Sequence, residues 1–228
     1  MEISPDLVVM LRIGGIEVNA TLLYTWLVML VLTLGSWLVT RRLSTGDRIP
    51  RWQNLLETVV SGVRQQLDDI SPRQPRGFLP FVGTLFLFIA LCNVLSVVPG
   101  FRPPTGSLST TAALAVLVFV AVPAYGIARV GLGRYLANYL RPTFFMLPFN
   151  IIGELSRTLA LAVRLFGNVM SGTMIGAILL AIAPLVFPVL MQLLGLLTGL
   201  VQAYIFSVLA AVYIAAAMQN EDPQREET

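Results

Sequence analysis

Apolar and polar positions alternate in long blocks along this chain, and the blocks predict a row of membrane helices. Leu22 to Thr40 is an uncharged run of spanning length, with Tyr24 and Trp26 near its start as interface anchors. It stops at Arg41-Arg42, with Arg48 and Arg51 beyond. Segment 52–70 changes period: Leu55, Leu56, Val59, Val60, Val63 and Leu67 recur at helical spacing, while Glu57, Arg64, Asp68 and Asp69 take the other face. It reads as an amphipathic helix on the membrane surface or as a docking face for a soluble partner. Pro72 and Pro75 end it. Uncharged runs at 78–101 and 108–128 follow, separated by Arg102-Pro103-Pro104-Thr105-Gly106. Of the arginines from Arg41 to Arg141, all but Arg102 then fall on one side, as the positive-inside rule requires. That side is cytoplasmic, and residues 1–20 lie outside.

Beyond Pro142 the blocks lengthen. From Thr143 to Ile182 only Pro148, near the start, interrupts a helical pattern. At ~1.5 Å per residue such a helix is ~60 Å long, about twice the thickness of a bilayer core. Segment 189–218 is again long for an upright helix, and Pro184 and Pro188 mark the turn between the two. The expected fold is therefore all-α: one polytopic membrane domain over 1–228, with about five membrane helices. The last two, 143–182 and 189–218, form a long tilted hairpin. The polar tail 219–228 is expected to be cytoplasmic and disordered. The N-terminus lacks the basic region of a signal peptide, so no cleavage is expected.

Composition agrees. The chain is 56% hydrophobic and only 12% charged, against roughly 25% charged in soluble domains. Every positive side chain is arginine and there is no histidine. That excludes a histidine metal site, a Ser-His-Asp triad and a histidine pH switch. The single Cys92 lies in an apolar run, where an inert thiol is the ordinary case. No catalytic group, metal site or cofactor is expected. The net charge of +3 comes mainly from loop arginines, so it reports topology and not binding to nucleic acid.

Candidate chemistry sits in the hairpin. Between Pro142 and Asn220 the formally charged side chains are Glu154, Arg157 and Arg164. Glu154 and Arg157 are i,i+3 and suit either a neutralised pair or the lining of an ion path. Arg164 has Ala160, Leu161, Gly167 and Asn168 at its helical neighbour positions, so no local carboxylate answers it. A guanidinium stays ionised in proteins, and one at mid-membrane costs from ~2.5 kcal/mol upward. Its counter-charge must come from another element or another subunit. Asn168 and Ser171 extend a polar line on the same face. Gln202 on the last helix is placed to hydrogen-bond the guanidinium across the hairpin. Gly172-x-x-x-Gly176 and Gly195-x-x-x-Gly199 suggest close packing of its two arms.

Arg164-Leu165-Phe166-Gly167-Asn168, with Gln202-Ala203-Tyr204-Ile205-Phe206, resembles subunit a of rotary F-type ATP synthases. Gly83 to Ile89, Thr110 to Ala115 and Leu147-Pro148-Phe149-Asn150 add to the likeness, which covers about 18–218. The resemblance implies a multi-pass stator in a bacterial plasma membrane. It would stand against a rotating c-subunit ring, with b-type peripheral stalk subunits and lipid as its other neighbours. It would contain two ion half-channels, with Arg164 as the fixed cation facing each ring carboxylate, and would couple H⁺ or Na⁺ flow to ATP synthesis or hydrolysis. Glu154 matches a family acid. Thr173 stands where an acid is usual, Gly195 where many members have His or Glu, and Ser107 and Ser109 where Asp and Asn are common. The usual proton relays are thus largely replaced by hydroxyls, which leaves H⁺ and Na⁺ both open. A stand-alone anion transporter using Arg164 as its binding cation is the alternative, and a purely structural membrane subunit a third reading.

Overall fold

The computed structural model describes residues 9–13, 16–41, 77–98, 100–135, 146–182 and 187–218, with Thr58, Ser61, Gly62, Arg64 and Gln65. Most of segment 52–70, the whole tail 219–228 and the flanking Arg42, Arg48, Arg51, Arg73, Arg76 and Arg141 lie outside the described residues.

Among the described residues the membrane part is all-α, with five main helices. These are α1 (Ala20–Thr40), α2 (Leu79–Leu95), α3 (Leu108–Val130), α4 (Met146–Ile182) and α5 (Phe187–Met218). Four are long and apolar enough to cross a membrane, and α2, with 17 residues, is a shorter apolar helix. The last two helices run for 37 and 32 residues. The mixed N-terminal stretch forms a hairpin that the helical reading left unassigned. Strands β1 (Val9–Ile13) and β2 (Ile16–Asn19) pair antiparallel, with Ile13 opposite Ile16.

In lipid there is little hydrophobic drive between helices, so close packing and internal hydrogen bonds hold the bundle. α5 is its centre. Ala203, Phe206, Ala210, Ala211, Ile214 and Ala215 are all buried, recur at helical spacing and present small residues that let neighbours approach. α2 contributes Val82, Leu85, Ile89 and Cys92, and α3 contributes Ala115, Val118 and Val122. α4 packs on α3 and α5 but buries little: 6% of its most apolar window is buried, against 50% for α5. Its buried side chains are Leu161, Ala162 and Leu165.

One polar contact fixes the α2–α5 crossing. The Asn93 amide donates to the Ile89 carbonyl at 2.9 Å and across to the Gly199 carbonyl at 3.1 Å. A Cβ at Gly199 would lie 2.6 Å from Asn93 Cγ, so the glycine makes room for the amide. This corrects the small-residue expectation. Gly199 receives α2, not α4, and a Cβ added at Gly172, Gly176 or Gly195 would meet nothing within 4 Å. Those three glycines therefore do not zip the hairpin together. At the same end of the bundle, Gln192 Nε2 donates to the Val97 carbonyl and Tyr24 Oη to the Gly100 carbonyl, which ties α5 and α1 to the turn after α2. Arg102 follows in that turn.

Gly199→Ala is expected to displace Asn93 and lower stability in detergent by about 1–3 kcal/mol, the usual cost of overpacking. Gly195→Ala, in open space, should leave the unfolding midpoint unchanged.

Candidate ion-path residues

Two polar regions flank Arg164 along α4. The first is a cleft of about 340 Å³ between α3, the first half of α4 and the end of α5. Val118, Phe119 and Val122 form one wall, and Asn150, Glu154, Arg157 and Thr158 another. Tyr213, Ala216, Ala217 and Tyr135 also line it, with Phe149 and Gly153 of α4. Glu154 is half-buried, with Oε1 fully enclosed. Arg157 does not turn to Glu154, as the i,i+3 spacing allowed. Its guanidinium lies over the Tyr213 ring, 5.7 Å from the centroid. An electron-rich ring face suits a weakly hydrated guanidinium. Thr158 donates its hydroxyl to the Glu154 carbonyl at 2.9 Å. Pro123 has no N–H, so the Phe119 carbonyl in the cleft wall lacks its usual helical donor.

The second region lies at the other end, around the 3-10 turn Pro104–Gly106. Thr105, Ser107 and Thr111 are buried. Ser107 Oγ and Ser109 Oγ are 2.6 Å apart, and Thr111 Oγ1 donates to the Ser107 and Leu108 carbonyls. Thr105 Oγ1 is enclosed and has no hydrogen-bond partner. The turn touches α4 one residue past Asn168: a Cβ at Gly106 would lie 3.3 Å from Val169 Cγ1.

Arg164 stands between these regions. The 3.6-residue period puts it roughly 60° around α4 from Leu161 and roughly 100° from Leu165, to one side of that buried stripe. It is exposed and, among the described residues, makes no hydrogen bond or ion pair. Asn168 is half-buried and Ser171 exposed on the same flank, with the Ser171 hydroxyl donating to the Asn168 carbonyl at 3.2 Å. Thr173 is exposed, donates to the Met170 carbonyl and falls about half a turn around the helix from Arg164.

Gln202 is a correction. It is 7% exposed and its Nε2 has no hydrogen-bond partner; among the described residues the Arg164 guanidinium makes no hydrogen bond either, so the expected bond from it to the amide oxygen across the hairpin is not made. The physical reason is placement: the amide faces the bundle interior, on the same α5 face as Ala203 and Phe206, while the guanidinium stands outside.

The ATP synthase A chain family model matches residues 22–215. The chain belongs to this family. It is 59% identical over 226 residues to the ATP synthase subunit a of Albidiferax ferrireducens, covering 99% of this chain and 98% of that protein. It is 61% identical over 222 residues to the ATP synthase subunit a 1 of Chlorobaculum parvum, covering 97% and 98%. The ATP synthase subunit a of Nitrosospira multiformis is 59% identical over 217 residues, covering 95% and 86%. As a member of the ATP synthase A chain family, the chain is a multi-pass membrane component of a larger ATP synthase complex.

Reading the family motif along the chain finds Arg164, Asn168 and Gln202. It does not find Tyr213, Tyr135 or Phe119, which join the site through folding. Tyr213 left a faint signal, since it lies eleven residues after Gln202 and so close to the same α5 face. Tyr135 left none.

Because no hydrogen bond is lost, Gln202→Leu is expected to keep or raise the stability of the isolated chain, by up to about 1–3 kcal/mol. Denaturation in detergent measures it. A clear loss of stability would show that the amide is bonded.

Proposed function

We propose that the chain is the stator of the ATP synthase membrane sector, and that Arg164 is the fixed cation met by each carboxylate of a rotating c-subunit ring. The observation that carries this is the exposed guanidinium, unpartnered among the described residues, between two polar approaches. At ~1.5 Å per residue Glu154 lies ~15 Å from Arg164 along α4, and Val169 ~7.5 Å on the other side. The Glu154 cleft then serves as the cytoplasmic half-channel and the Thr105–Thr111 hydroxyl cluster as the outer one. The N-terminus is outside, and the tail is cytoplasmic. The membrane is the bacterial plasma membrane.

The chemistry follows from position. The neighbours of Arg164 on the exposed flank, Ala160, Gly167 and Ser171, are small, so a ring helix can come close. A cation within ~4–6 Å favours the ionised form of a carboxylate, so the ring site releases its ion there. The same charge repels an ion crossing directly from one approach to the other, which blocks a leak. Each ion that crosses yields ~2.3 kcal/mol per 100 mV of membrane potential, and this drives rotation. Arginine suits the task better than lysine because it does not lose its charge on burial. Glu154, Arg157 and Thr158 line the inner approach, while Asn168 and Ser171 lie beside the cation. Thr173, on the other side of α4, bears on the outer approach. Gln202 sets α5 against α4 from within and holds any water that enters there. The b-type stalk subunits and lipid cover the remaining apolar surface.

The hydroxyl, carbonyl and carboxylate oxygens of both approaches suit H⁺ carried on water and Na⁺ alike. The anion-transporter reading has nothing comparable behind it, since Arg164 does not line the cleft.

Arg164→Ala is expected to abolish ATP-driven ion uptake in vesicles reconstituted with the whole complex, while the complex still assembles. Normal coupled uptake in that variant sinks the proposal. Measuring uptake with and without Na⁺ and with a protonophore identifies the ion: sodium-dependent, protonophore-resistant uptake means Na⁺. Glu154→Gln is expected to slow uptake about tenfold, the effect of ~1.4 kcal/mol on the barrier. An unchanged rate would make Glu154 structural.

A further inference from the structure

α4 carries a second arginine seven residues before Arg164. Seven residues make nearly two turns, so Arg157 stands only roughly 20° around the helix from Arg164 and ~10.5 Å from it along the axis. The two cations share one edge of α4. Ala160, between them on that edge, is small and exposed.

Arg157 is exposed and, among the described residues, makes no hydrogen bond or ion pair. What holds it is the face of Tyr213, 5.7 Å from guanidinium carbon to ring centroid. Tyr213 is firmly placed, because Ala211, Ile214 and Ala215 around it on α5 are all buried. A ring face fixes a guanidinium through its quadrupole but supplies no net negative charge. Arg157 is therefore positioned without being neutralised. The other titratable side chains lining the cleft are Glu154 on α4, Tyr213 on α5 and Tyr135 after α3. The α3 wall of Val118, Phe119 and Val122 brings no charge.

We infer that Arg157 is a second fixed cation of the stator: held on the Tyr213 ring at the wall of the inner approach, it weakens the grip of a c-subunit carboxylate on its ion on that side. The inference deepens the proposed stator role and rests on that reading. Arg164 divides the two approaches, and Arg157 sets how readily the inner one exchanges its ion. Unit charges ~10 Å apart at a protein interface still alter binding about tenfold. A carboxylate moving from Arg164 toward the inner approach comes closer than that. A cation beside it favours the ion-free form. Arg157 thus eases release on the inner side during synthesis, and raises the ion concentration needed for loading during ATP-driven pumping. Tyr213 is its positioning residue.

The test is ATP-driven uptake by vesicles reconstituted with the whole complex. Ion concentration is varied on the side on which ATP is hydrolysed: Na⁺ at fixed pH, and pH without Na⁺. Arg157→Gln is expected to lower the half-saturating concentration of the coupling ion about tenfold. If that ion is H⁺, the alkaline limb of uptake moves up by about one pH unit. Arg157→Lys keeps the charge and should stay near the unaltered complex. Tyr213→Leu should shift the half-saturating concentration part of the way, add nothing in the Arg157→Gln chain, and be reversed by Tyr213→Phe, which restores a ring. A half-saturating concentration that is unchanged or raised in an assembled Arg157→Gln complex overturns the second cation, even where the maximal rate falls, because a merely structural role moves the rate alone. If Arg157→Gln does not assemble, Tyr213→Leu decides: a lowered value supports the inference and an unchanged one overturns it. Failure of the stator reading looks different, since Arg164→Ala would then keep normal coupled uptake whatever Arg157→Gln does to half-saturation.

Discussion

A permanent cation at membrane depth needs an anion, water or a hydrogen-bonded cage, and the described part of this chain provides none of them to Arg164. The bundle meets that constraint by exposing the residue. α4 is the least buried of the long packed helices, and Arg164 stands on a flank of it whose other members are small. A chain so arranged is complete only inside an assembly. Its membership of the ATP synthase A chain family places it in one.

Exposing α4 makes its support the next requirement. A helix that buries little of itself cannot hold its own position, so α5 and α3 must hold it. α5 can, because its alanine-rich face packs on α2 and is pinned there by Asn93 at Gly199. The pin sits three residues, just under one turn, before Gln202. The register of α5 against α2 therefore also sets the level of Gln202 in the bundle. At the far end, Arg157 over Tyr213 ties the opposite ends of α4 and α5 together. The two contacts act on α5 about fourteen residues apart.

Apolar run length and loop arginines made the all-α membrane class, the five helices and the long final pair legible before any coordinates. Helical period was enough to put Asn168 and Ser171 beside Arg164. Partner choice was not legible, for a physical reason. GxxxG states that something packs closely but not what, and Gly199 takes an asparagine from α2 where the hairpin arm was expected. Gln202 misled in the same way, since a polar residue on a facing helix has no direction until the helix is rotated into place. Tyr135 was invisible because its place depends on Gly131 turning the chain and on an empty notch at Gly126, two facts of backbone and not of side-chain pattern.

The two polar regions differ in kind. The cleft holds a carboxylate, a guanidinium on a ring face and a second tyrosine, whereas the opposite cluster is built from hydroxyls. Hydroxyls keep one charge state over the ordinary pH range, so an approach lined by them neither stores nor releases protons of its own. A carboxylate can do both. That asymmetry follows from placing the acid ten residues before the fixed cation and only hydroxyls against the residues after it. It gives the two polar regions different chemistry even though a single guanidinium stands between them along α4.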